Sequence, residues 1–209
     1  MTVFAYVGGC LAVLLFFSKL SNYFGRKITV ILALAVGIAS CLCFIDPHNA
    51  SALILGRLLQ GVFAGLVTSA AMSWTVDTAP KSHVWLGTAL SAAGPGIGFI
   101  FGTVLSGLSA ETGIISGDTL FIGLAVTLAV VLAAAIPAVE TMRPGAMSLI
   151  SALTPSFGIP QKARKVFPLC AVGYIGTWAL STWFQGFSAM IGSAVFADGQ
   201  PSPAYAALT

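Results

Sequence analysis

Eight of the nine Lys and Arg residues lie in alternate gaps between six long apolar runs, and none lies in the other gaps. The runs are about Val3–Phe17, Ile28–Ile45, Ala52–Val76, Trp85–Leu108, Thr119–Val139 and Val166–Phe196. Lys19, Arg26, Lys27, Lys81, Arg143, Lys162, Arg164 and Lys165 occupy the first, third and fifth gaps. The second and fourth gaps and the C-terminal tail hold Asp46, Glu111, Asp118 and Asp198 instead. Apolar runs near 20 residues are long enough to cross a bilayer as helices, and cations in short loops stay on the cytoplasmic side. The pattern therefore predicts an all-α membrane protein of six transmembrane helices. Its first, third and fifth loops face the cytoplasm and both chain ends face outward.

Composition closes the alternatives. Charged residues make up 7% of the chain, against about 25% in soluble domains. A β-barrel needs short segments of strict alternation, and none occurs. The net charge of +3 sits in short loops, so it is a topology signal and no nucleic-acid partner is expected. Cys10, Cys41, Cys43 and Cys170 all lie in apolar runs without Cys-x-x-Cys spacing, which predicts reduced core thiols and no metal. The chain starts apolar at Val3 with no cation before it, unlike a secretory signal peptide. His48 and His83 both fall in loops, and no His-Glu-x-x-His or P-loop is present. Intramembrane zinc or serine proteolysis and direct ATP drive are therefore unsupported, and neither enzyme activity nor a cofactor is expected.

The first loop reads Ser18-Lys-Leu-Ser-Asn-Tyr-Phe-Gly-Arg-Lys27, a basic polar turn between two spans. It resembles the loop between the second and third helices of major facilitator superfamily transporters, Gly-x-Leu-x-Asp-Arg-x-Gly-Arg-Lys. Leu20, Gly25, Arg26 and Lys27 match, while Ser18 stands for the first Gly and Asn22 for the Asp. The resemblance implies a cytoplasmic gating loop in which Arg26 pairs with an acid at the end of the third span, here Asp77. Asn22 retains the capacity to hydrogen-bond a helix terminus. On the same alignment the chain carries helices two to seven of twelve. Residues 1–139 would then be five helices of the N-terminal half, 140–165 the loop between halves, and 166–209 the first C-terminal helix with an external tail. The first helix and the last five helices would be supplied from outside this stretch.

Arg57 is the one cation inside a span. A charge in hydrocarbon is costly and normally faces the bundle interior or snorkels to an interface. Gln60, Ala64, Thr68 and Thr75 continue near the same face of an ideal helix, as a cavity lining would. The stretch Arg57-Leu-Leu-Gln-Gly61 also resembles the family's fourth-helix motif, Arg-x-x-Gln-Gly, whose Arg is associated with the central cavity and with proton coupling. In the next span Gly94, Gly98, Gly102 and Ser106 recur every four residues, and Gly107 follows. Small residues on one face let a second helix approach closely. This run is similar to the family's fifth-helix motif, Gly-x-x-x-Gly-Pro-x-x-Gly-Gly, characteristic of antiporting exporters, with Thr103 in place of the Pro and Ser106 in place of the first of the paired Gly.

In the last span Tyr174, Trp178, Ser181, Gln185 and Ser188 form one polar and aromatic stripe, suited either to helix–helix hydrogen bonds or to a partly apolar ligand. The resemblance implies that this helix lines a substrate cavity. Together these features imply secondary transport of a small molecule by alternating access, with proton-coupled efflux leading. Uptake by symport, or a non-transporting component packed against a partner chain, are the alternatives. The expected partners are the lipid bilayer, the small molecule with protons, and the remaining helices of the same transporter. The expected location is a bacterial inner membrane.

Overall fold

The computed structural model describes residues 2–17, 19–45, 49–142, 154, 161 and 164–196. Helix α1 (Thr2–Ala12) runs into a π-helical turn, Val13–Phe17, and is followed by the short α2 (Leu20–Phe24) and by α3 (Arg26–Cys43). Helix α4 (Ala50–Leu66) passes through a second π turn, Val67–Ala71, into α5 (Met72–Thr78). A 3-10 turn at Lys81–His83 opens α6 (Val84–Thr112), and α7 (Gly117–Ala135) and α8 (Phe167–Phe196) follow. No strand occurs among the described residues.

Six apolar helical stretches therefore stand where six spans are predicted. Arg26–Cys43, Ala50–Thr78, Lys81–Ser109 and Gly117–Ala135 are long and apolar enough to cross a membrane; Val3–Phe17 and Phe167–Ser181 are shorter apolar stretches. Their outer surfaces are oily: Phe4 is 81% exposed, Phe101 73% and Leu169 76%. In a bilayer such surface faces acyl chains, and helices satisfy their backbone polar groups internally.

The helix ends have local causes. Asn49 starts α4 by accepting from the Ser51 and Ala52 amides at 3.1 and 3.3 Å. Three boundaries differ from the expected ones, the fourth span running on to Thr112, four residues past Leu108. The loop Ser18–Lys27 is not a simple polar turn, because α2 forms inside it and Arg26 and Lys27 are the first residues of α3. The fifth span stops at Ala135, four residues short of Val139, just before Pro137.

The chain divides into two compact units, Met1–Gly96 with Gly117–Pro155, and Ile97–Ser116 with Ser156–Thr209. In the first unit α3 packs against α4 and α7, and α1 packs on α4. One core cluster joins Val30, Leu34, Ala70 and Ala135, and another joins Val13, Ala33 and Leu66. Ser40 crosses between helices, its hydroxyl donating to the Gly56 carbonyl at 2.9 Å. In the second unit, Gly113 (φ +64°) follows α6 and the Ser109 hydroxyl donates to the Ile115 carbonyl at 2.7 Å.

Backbone approaches backbone closely in the seam between α1 and α4. A Cβ on Gly9 would lie 2.5 Å from the Leu58 carbonyl oxygen, and one on Gly61 would collide with the Tyr6 carbonyl. At Gly65 it would meet the Val13 Cβ at 2.7 Å. These glycines bring two backbones together where dispersion, rather than water exclusion, holds helices in lipid. On α6, where the regular small-residue row predicts such a seam, no described atom lies within 4 Å of a Cβ at Gly94, Gly98 or Gly102. Ser106 is exposed and Gly107 buried.

Candidate functional site

The candidate site lies at the cation-rich end of the first unit, where three helix ends meet. Gly25 sits at φ +100°, a backbone conformation open to glycine, and turns the chain from α2 into α3. That turn leaves the first amides of α3 without helical partners. Glu140, beyond the end of α7, supplies one. Its carboxylate accepts from the amides of Arg26 at 2.9 Å and Lys27 at 3.0 Å. It also accepts from its own neighbours Thr141 and Met142 at 3.0 and 3.1 Å. A carboxylate at a helix N-terminus meets both unpaired N–H groups and the positive end of the helix dipole. A Cβ at Gly25 would run into this carboxylate, so the glycine serves the turn and the approach together.

The Arg26 side chain reaches the other way, to α5. It forms an ion pair with Asp77, and its Nη1 donates to the Ser73 carbonyl at 2.6 Å. Arg26 and Asp77 side chains are 18% and 33% exposed, so the pair is worth more than a fully solvated one yet remains on the order of 1 kcal/mol. Arg26 Nε is buried with no hydrogen-bond partner among the described residues. The Thr141 hydroxyl donates to Asp77 at 3.2 Å, and the Trp74 indole donates to the Val139 carbonyl at 3.1 Å. The stretch Val139–Met142 is thereby stitched to both α3 and α5. Farther along, the Thr154 carbonyl accepts from Lys19 at 3.2 Å.

Sequence reasoning anticipates Arg26, Gly25, Lys27 and Asp77 as a group, and the geometry brings them together. It allows Asn22 a bond to a helix terminus, and the side-chain acceptor at the start of α3 is Glu140. Asn22 is half-buried, and its amide donates to the Lys19 carbonyl at 2.9 Å. Glu140 has a signal in the sequence after all. It is an acid at the head of a loop of cations, the same anomaly that marks Asp77. Ser18 and the Leu20 side chain lie outside the described residues.

The remaining candidates are placed apart from this cluster. Arg57 is exposed near the other end of the first unit, its Nη1 donating to Gln60 Oε1 at 2.9 Å. Its guanidinium carbon lies 5.4 Å from the Phe44 ring centre, and Phe44 stacks on Phe121 at 4.9 Å. Thr68 is exposed within the second π turn. Thr75 lies beyond that turn, in α5, and is half-buried. The Thr75 hydroxyl folds back onto the Ala71 carbonyl at 2.9 Å. On α8, Tyr174 and Ser181 are exposed. The side chains of Trp178, Gln185 and Ser188 lie outside the described residues.

Long apolar helices with a polar, ion-paired cluster at their cation-rich end define an integral, multi-pass membrane protein. The chain belongs to the major facilitator superfamily, whose family model matches residues 1–208. It is 36% identical over 106 residues to the MFS efflux transporter inpD of Emericella nidulans, a match over 50% of this chain and 19% of that protein. It is 34% identical over 91 residues to the probable multidrug-efflux transporter Rv1634 of Mycobacterium tuberculosis strain H37Rv, over 43% of this chain and 19% of that protein. A counterpart from strain CDC 1551, MT1670, matches equally. The matches thus span about a fifth of each relative.

Proposed function

We propose that this chain is part of a secondary transporter that exports a small molecule in exchange for protons by alternating access, with the Arg26–Asp77–Glu140 cluster as its cytoplasmic gate. The observation that carries the reading is the ion pair itself. It ties the start of α3 to the end of α5 through few contacts, so a modest change in free energy opens it. The efflux names of the relatives favour the outward direction. The substrate class is a partly apolar small molecule, bound near the midplane between two helical halves. Arg57, Gln60, Thr68, Tyr174, Trp178, Ser181 and Gln185 are the proposed cavity residues. Residues 1–139 would belong to one half, with 140–165 connecting it to a second half that begins at 166. The row Gly94, Gly98, Gly102, Ser106 and Gly107 would receive a helix of that second half, and the site of action would be a bacterial inner membrane.

The test uses the complete coding frame that contains this chain, in everted membrane vesicles loaded with a proton gradient. Ethidium should accumulate inside, and a protonophore should abolish the accumulation. Accumulation that survives the protonophore removes proton coupling, and none at all with ethidium or other cationic dyes removes the drug-efflux reading. In the same vesicles Arg26→Asp and Asp77→Arg should each abolish uptake. The double reversal should recover only part of it, because an acid at position 26 stands beside Glu140 and loses the bond to Ser73. A double variant no better than either single one excludes the gate.

A further inference from the structure

The two π turns share one core cluster. Val13, the first residue of one, is 3% exposed and buried with Leu66, the residue just before the other, and Val67 packs against that cluster. The second turn leans on α3, which runs without interruption: Ala70 sits in the cluster with Val30 and Leu34, and Ala33 of α3 belongs to the cluster of Val13 and Leu66. Neither segment, Val-Leu-Leu-Phe-Phe or Val-Thr-Ser-Ala-Ala, contains a proline that would force a break. Hydroxyls instead cover backbone carbonyls around the second turn. Ser69 donates to Leu66 at 3.1 Å, Ser73 to Ser69 at 2.9 Å and Thr75 to Ala71 at 2.9 Å. In a membrane that cover lowers the cost of a carbonyl that leaves its helical partner.

Each π turn leads directly to one side of the ion pair. The first continues through α2 to Gly25 and Arg26, and the second continues through α5 to Ser73 and Asp77. A π turn stores one residue of helical register. Releasing it would rotate everything after it by about 100° and shift it by about 1.5 Å along the axis. Applied to α5, that rotation carries the Asp77 carboxylate and the Ser73 carbonyl away from Arg26.

We infer that the paired π turns are a register switch for the ion pair: π geometry in both holds Arg26 against Asp77, and return of the second turn to α geometry releases it. The cluster that Val13 shares with Leu66 and Val67 makes the two turns respond together. The switch rests on the geometry of the ion pair and not on transport.

Hydrogen exchange of the full-length protein in lipid nanodiscs, read by mass spectrometry, tests this. Asp77→Asn should raise exchange by about fivefold, the worth of a pair near 1 kcal/mol, in peptides covering 13–17 and 67–71 together. Exchange within 31–40 of α3 should stay unchanged. Deleting Thr68, which removes the spare residue, should slow exchange at 67–71 to the level of α4 and erase the response to Asp77→Asn. A rise confined to 67–71, or no rise in either turn, overturns the coupling. An unaltered response after deletion of Thr68 overturns the stored residue. No dye is moved in this experiment, so its failure leaves the proposed export standing, and a failure of export leaves the switch standing.

Discussion

Gly61→Ala is expected to lower the apparent Tm of the purified chain in detergent by about 6–12 °C, corresponding to roughly 3 kcal/mol. The added methyl would meet backbone on both sides: the Tyr6 carbonyl, and the Cys10 amide at 2.9 Å. Backbone cannot rotate away as a flexible side chain can, so α1 must separate from α4. That separation also uncovers Val13 and Leu66, which pack together only while the seam is closed. Gly98→Ala is the control, because a Cβ there meets no described atom within 4 Å. It should leave stability unchanged or raise it by up to about 1 kcal/mol, alanine being the better helix former. Equal Tm values for the two variants would show that the α1–α4 seam is not what holds these helices.

Glu140→Ala should cost about 1.5–3 kcal/mol, with Glu140→Gln in between. The carboxylate is a charged acceptor for four backbone amides, two of them at the start of α3. Alanine leaves those amides without it, and glutamine keeps one acceptor oxygen while losing the charge that suits the helix dipole. Gly25→Ala should be damaging by itself, through both the φ of +100° and the collision with Glu140. Combined with Glu140→Ala it should be less than additive, since the collision disappears while the backbone strain remains. Chemical or thermal unfolding of the four variants completes the cycle. Strict additivity would mean that Gly25 and Glu140 do not share a site.

The fold was largely legible because the bilayer leaves few choices. A backbone in hydrocarbon must satisfy itself, so each long apolar run becomes a helix, and the cations mark which ends share a side. Arg26 and Asp77 were legible as partners because each is a charge with few places to go. Glu140 escaped, since its role depends on where the chain lies after α7 ends at Ala135. Nothing local at Glu140 specifies that α3 will begin beside it. The small-residue rows tell the same story. The regular row on α6 is the more conspicuous in sequence, yet a Cβ at Gly94, Gly98 or Gly102 has no described atom within 4 Å, while one at Gly9, Gly61 or Gly65 runs into the neighbouring segment. Spacing specifies which residues share a face, but not what stands opposite.

By itself the sequence determined six apolar helical segments and the family to which the chain belongs. All of these follow from the free energy of moving groups between water and hydrocarbon, which is set residue by residue. Only the tertiary structure decided that α1 seats on α4 through three glycines and that Glu140 caps α3 from beyond the end of α7. It alone placed a π turn ahead of each side of the ion pair. Those outcomes depend on van der Waals fit and hydrogen-bond geometry between segments far apart in the chain, which no single segment contains.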